Sequence, residues 1–156
     1  MESKSKQPEW NKVAEVELIY KSKVKASERP QICSSRDAYQ ILIQAWDENK
    51  IEFVEQFKVL LLNRAHKVLG IYDVSTGGVS GTVADPKIIF VAALKANACG
   101  LVISHNHPSG NLKPSRQDEE LTQKIKYGSQ LLDIKLLDHV IITNETYFSF
   151  ADEGLL

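Results

Sequence analysis

LVISHNHPSGNLKPSRQDEELTQKIKYGSQLLDIKLLDHVIIT, residues 101–143, is the stretch on which the reading of the fold turns. Its first four residues, LVIS, are apolar but for Ser104 and read as a short buried strand that ends at His105. Residues 107–114, HPSGNLKP, are rich in proline, glycine and asparagine and read as a loop. Ser115 opens an amphipathic helix that continues through Leu132. Residues 135–143, KLLDHVIIT, form another apolar strand, and residues 147–150 a last short one. A strand, a helix and a strand in succession point to a crossover between neighbouring strands.

Working outward, Asp85-Pro86 is a strong helix start, since Asp caps and Pro suits the first turn. That helix is expected to reach Asn97 and to be ended by Gly100. Two apolar runs, 57–62 and 68–72, flank NRAHK and predict a β-hairpin in the centre of the sheet. Ser34 or Ser35 caps a helix through Asn49, with Ala38, Ile41, Leu42 and Ala45 as its apolar stripe. Residues 13–20, VAEVELIY, alternate in part and predict a first strand. The expected architecture is α/β, a mixed β-sheet flanked by helices. Residues 1–30 are read as a polar leader with a first strand region, and 31–156 as one domain.

Composition narrows the function. The chain has 156 residues, 43% hydrophobic and 25% charged, the make-up of an ordinary soluble domain. A formal net charge of -1 gives no global attraction to nucleic acid or anionic membrane. MESKSKQPEW at the start lacks the apolar core of a secretory signal, and no apolar run is long enough to span a bilayer. The expected location is the cytoplasm. Cys33 and Cys99, far apart in sequence, read as reduced core residues.

The chemistry lies in Ser104 to Asp118. His105 and His107 stand two apart at a strand end, where alternation sends both imidazoles to one side. Asp118 follows in the first helical turn, across a loop stiffened by Pro108 and Pro114. Two histidines and a carboxylate form the three-ligand set typical of catalytic zinc, which keeps a fourth position for water. Zn2+ is therefore the expected cofactor. Such a site calls for a further carboxylate as general base. Glu52, Glu55, Glu119, Asp138 and Glu145 are all open on the residues alone, with Glu55 slightly ahead because it enters a central strand. The competing reading makes His105 and His107 polar surface residues and Ser115-x-x-Asp118 a helix cap. A capping Asp remains able to ligate.

At these residues the chain resembles the JAMM metalloprotease motif: a Glu, then His-x-His, seven residues, Ser, two residues, Asp. Here it reads His105-Asn106-His107, Ser115, Asp118. Within that superfamily SHNHPSGNLKPSRQD, LLDHVIIT and FSFADEGLL most resemble the RadC proteins of bacteria, as do EQFKVLLLNRAHKVLG and VSTGGVSGTV upstream. The resemblance covers residues 31–156. It implies a JAB/MPN fold related in architecture to cytidine deaminases, with His105, His107 and Asp118 as zinc ligands. It implies Glu55 as the catalytic glutamate and Ser115 as a stabiliser of the tetrahedral intermediate. The implied activity is hydrolysis of amide or isopeptide bonds in a protein or peptide substrate. Longer RadC proteins carry a helix-hairpin-helix region ahead of this domain. The roughly 30 residues before Gln31 are too few for one, which weakens a DNA-repair reading.

Other residues attract simpler readings. His139 in its apolar strand reads as structural, or as a partner holding a ligand by hydrogen bond. His66 belongs to the hairpin turn. Residues 75–81 are a glycine-rich loop without the phosphate-loop pattern. Lys21, Lys23, Lys25 and Arg29 form a solvated edge, and Trp10 and Trp46 are packing residues. A zinc deaminase needs His-x-Glu and Pro-Cys-x-x-Cys, and the chain has neither. The alternative to a hydrolase is a DNA-associated repair or mobile-element module with an auxiliary metal, which predicts salt-dependent DNA binding. A catalytically silent interaction domain sits poorly with a complete ligand set.

Overall fold

A computed structural model of the chain describes residues 12–17, 19–77 and 83–156. Five strands form one mixed sheet in the order β2-β1-β3-β4-β5. They are β1 (Gln56–Leu62), β2 (Val68–Thr76), β3 (Gly100–Asn106), β4 (Lys135–Ile142) and β5 (Tyr147–Ser149). The helices are α1 (Ser35–Ala45), α2 (Pro86–Lys95) and α3 (Arg116–Leu131). The β1–β2, β1–β3 and β4–β5 pairs are antiparallel, whereas β3 and β4 run parallel with α3 between them in sequence. The α/β architecture expected from the sequence is present.

Alternation sorts the central strands into two cores. Phe57, Val59 and Leu61 of β1, with Leu101 and Ile103 of β3, pack against Ile89 and Ala93 of α2 and Ile125 of α3. Leu60, Leu62 and Val102 face the other way, toward Ala38 and Leu42 of α1 and toward Trp46. The sheet is thus covered on both faces, which explains why β1 and β3 are mostly apolar and buried along their full lengths. Lys58 is accommodated among the apolar residues by pairing with Asp73 and lying 5.0 Å from the Trp46 ring centroid.

One irregularity matters for the site. The β3–β4 ladder pairs Leu101 with Leu136 but Val102 with Asp138, so β4 carries one extra residue, a β-bulge. Leu136 packs with the α2–α3 core, while Leu137 and Val140 pack on the α1 side. The extra residue reverses the facing of the rest of the strand, and His139, opposite Ile103, turns toward α3.

Several expectations are corrected. Residues 13–17, 19 and 20 form no strand and are exposed; the Tyr20 hydroxyl instead donates to the Leu69 carbonyl, beside β2. Leu18 and Trp10 lie outside the described residues, as do Gly78 to Gly81 of the glycine-rich loop. β2 is an edge strand, so only β1 of the hairpin is central. The first helix stops at Ala45, short of Asn49, because Trp46 turns to extended backbone and buries its ring. The second stops at Lys95; Asn97, at φ 53°, makes the turn, and Gly100 already belongs to β3. β3 starts at Gly100 and runs to Asn106, one residue past the expected end at His105. Cys33 and Cys99 are exposed, not core, residues. No helix among the described residues is long and apolar enough to cross a membrane.

Candidate functional site

The site grows out of the β1–β3 ladder. Phe57 pairs with His105, and their rings stack with centroids 5.8 Å apart. Continuing the register by two residues sets Glu55 opposite His107, on the same face. Between them Asn106 points the other way and is fully buried. Its Oδ1 accepts from the Gln56 amide at 2.7 Å, and its Nδ2 donates to the carbonyls of Ile51 at 2.7 Å and Val54 at 2.9 Å. Asn106 therefore fixes the segment that delivers Glu55. Sequence reasoning misses this residue, although an Asn between two histidines in an apolar strand needs polar partners if buried.

The loop returns the chain to the strand end. The His107 amide donates to the Ile142 carbonyl at 3.0 Å. Gly110, at φ 82°, makes the turn, and its amide donates to the His107 carbonyl at 3.0 Å. Ser115 then caps α3 reciprocally: its hydroxyl accepts from the Asp118 amide at 3.1 Å, and Asp118 Oδ2 accepts from the Ser115 amide at 2.7 Å. The same box that starts the helix orients the Asp118 carboxylate over the strand.

Three donor groups meet there. His105 Nε2 lies 3.0 Å from His107 Nε2 and 3.2 Å from Asp118 Oδ1, and His107 Nε2 lies 3.6 Å from Asp118 Oδ2. A tetrahedral zinc with bonds of about 2.0–2.1 Å requires ligand atoms about 3.3 Å apart. His107 Nδ1 faces the Asn111 carbonyl, which can only accept, so in the neutral ring the proton is on Nδ1 and Nε2 offers a lone pair. His105, His107 and Asp118 could together hold a metal ion. Burial alone would raise the Asp118 pKa, but the two imidazoles, which donate to it from Nε2 when protonated, and the Ser115 amide hold it well below the usual carboxylate range. For His107 burial lowers the pKa, and Asp118, the Asn111 carbonyl and the charge of Glu55 outweigh it, raising the net value.

These residues line a cleft of about 450 Å³, which Glu55 and Ser115 share with them and whose apolar wall includes Phe57 and Leu121. Of the five carboxylates considered as base, Glu55 alone lines this cleft. Glu52 accepts from Asn144 at 3.1 Å and lies with Glu145 in a neighbouring depression beside His107. Glu119 is exposed on α3. Asp138 is buried on the α1 side, where its carboxylate accepts from Ser149 at 2.6 Å and from the amides of His139 and Ala151 at 2.8 and 3.0 Å. Burial pushes its pKa up despite those bonds. His66 is exposed in the hairpin turn, and Lys21, Lys23 and Lys25 are exposed. His139, by contrast, is fully buried and touches the site, its Nε2 2.9 Å from His105 Nδ1.

The model of the RadC-like JAB domain matches residues 32–155. The chain belongs to that family. It is 44% identical over 125 residues to a UPF0758 protein of Flavobacterium johnsoniae, covering 80% of this chain and 53% of that one. A UPF0758 protein of Porphyromonas gingivalis is 47% identical over 103 residues, 65% of this chain and 45% of its own. One of Clostridium kluyveri is 35% identical over 144 residues, 92% and 61% respectively. The chain thus spans about half the length of the curated relatives it matches.

Proposed function

We propose that this RadC-like JAB domain is a zinc-dependent hydrolase of amide or isopeptide bonds in protein or peptide substrates. The reading is carried by the convergence of two imidazole nitrogens and a carboxylate at zinc-ligand spacing, with a further carboxylate across the same cleft. Two nitrogens and one oxygen suit zinc better than the all-oxygen sets preferred by magnesium or calcium.

His105, His107 and Asp118 would hold the ion, which when bound supplies Lewis acidity and lowers the pKa of water to about 7. Glu55, just ahead of β1 and across the cleft from His107, would take the proton of the attacking water and return it to the leaving amine. Its segment is held by Asn106, so the carboxylate is positioned before substrate arrives. Ser115 accepts a hydrogen bond as a cap and keeps its own proton to donate toward a developing oxyanion. Phe57 and Leu121 shield one side of the cleft from water.

The test is metal content and turnover together. After zinc reconstitution, the wild type and Glu55→Gln retain one zinc per chain by elemental analysis, and His107→Ala loses it. Peptide and isopeptide-linked substrates are cleaved by the wild type and not by Glu55→Gln. A wild-type protein that takes up no stoichiometric divalent metal sinks this reading.

A further inference from the structure

His139 and Thr122 stand behind His105 in a chain of hydrogen bonds that the hydrolytic scheme leaves unused. Thr122 Oγ1 lies 2.7 Å from the Asp118 carbonyl oxygen and 2.6 Å from His139 Nδ1. His139 Nε2 lies 2.9 Å from His105 Nδ1. The His139 ring is fully buried, stacked on Phe150 at 4.5 Å and tilted against Phe57 at 5.8 Å. The β4 bulge is what turns it to this side of the sheet.

A threonine hydroxyl has one proton, and a neutral imidazole carries one on either nitrogen. Two proton orders are therefore open. If Thr122 donates to His139 Nδ1, then His139 Nε2–H donates to His105 Nδ1, and the His105 proton sits on Nε2, facing His107 and Asp118. That order blocks His105 as a ligand. If Thr122 donates instead to the Asp118 carbonyl, it accepts from His139 Nδ1–H. His139 Nε2 then accepts from His105 Nδ1–H, and His105 Nε2 turns a lone pair toward the other two ligand atoms.

We propose that Thr122 and His139 are positioning residues that set the tautomer of His105 and so make it a metal ligand through Nε2. The inference rests on the metal reading above. Metal-bound histidines usually donate their second N–H to a carboxylate, a carbonyl or water. Here the acceptor is a second, neutral imidazole whose own proton is committed by a threonine. The chain ends on the backbone of Asp118, itself a ligand, so β3, β4 and α3 are tied into one closed circuit. Packing alone would ask for an apolar residue at position 139 and no hydroxyl at 122.

The experiment is a zinc titration against a chelating dye at neutral pH, with wild type, Thr122→Val and Thr122→Ser. Valine keeps the shape and removes both hydroxyl bonds; serine keeps them. Thr122→Val should bind zinc about 10- to 100-fold more weakly, and Thr122→Ser should recover most of the loss. In the zinc-loaded wild type, long-range ¹⁵N NMR should place the His139 proton on Nδ1, a result that needs no variant to fold. Thr122→Val binding zinc as tightly as the wild type, or a His139 proton on Nε2, overturns the relay alone. A wild type that binds no zinc removes the metal reading and the relay with it.

Discussion

At the scale of single residues, His107 and Asp118 titrate against each other, and the signs of their shifts define a pH window for the metal-free protein. His107 has its pKa raised on folding. Its contribution to stability is complete below about pH 6.5, the unfolded value, and is lost as pH rises through the folded value. Asp118 has its pKa lowered. Its contribution is complete above about pH 3.9 and is lost as pH falls through the folded value. Urea midpoints of the metal-free protein should therefore carry a favourable term between about pH 4 and 6.5 that Asp118→Asn removes. In the proposed site zinc would displace the His107 proton, so affinity measured by dye competition should climb with pH through that raised pKa. For Glu55→Gln, kcat should fall by about 10²- to 10⁴-fold with zinc content unchanged.

At the scale of elements, Ser115 caps α3, and the proposed hydrolysis gives it a second duty that substitution can separate from the first. As N-cap of α3 it is worth about 1 kcal/mol against Ala, and Gly replaces it at a cost of only a few tenths. As the proposed donor in the cleft it should be worth about 10²- to 10³-fold in kcat, and neither Ala nor Gly should replace it. Ser115→Gly should thus keep the thermal midpoint near wild type while losing the rate; Ser115→Ala should lose both. An unchanged rate in both variants would leave Ser115 as a cap only. Elements also show what the sequence could disclose. α3, β3 and the loop between them were legible because cap, proline, glycine and apolar signals all fall in one contiguous stretch. The three converging donors lie in that stretch too, and local geometry brings them together. Glu55 could not be singled out by local signals, since its place depends on the pairing of Phe57 with His105 across the sheet. The orientation of His139 was hidden for a related reason. Strict alternation in β4 groups it with Leu137, and only the register slip against β3 turns it to the α3 side. The segment at 13–20 failed in the opposite direction: its alternation is real, but its described residues join no strand edge.

At the scale of the whole molecule, the site joins β3 to α3 and is backed by β4, so an ion bound there braces three elements at once. Zinc present at about a thousand times its Kd should stabilise the native state by about 4 kcal/mol. For a chain of this length that corresponds to a midpoint roughly 8–16 °C higher, removed by chelator and absent in His107→Ala. A calorimetric scan with and without zinc measures it. The core is independent of the metal. Leu60→Ala, fully buried on the α1 side, should cost about 2–5 kcal/mol in both forms alike.

The surplus residue in β4 makes the wall behind the cleft tolerant of a change in chain length. Deleting Leu137 would bring the parallel ladder into step with Leu136 still opposite Leu101 and Asp138 still opposite Val102, so His139 would keep its aim toward α3. A one-residue deletion there would remove an apolar side chain from the α1 face, change no ligand and leave zinc capture near that of the parent chain. Two proteins with the same His-x-His and Asp could therefore differ by one residue between Ile134 and His139 and still hold the same ion alike.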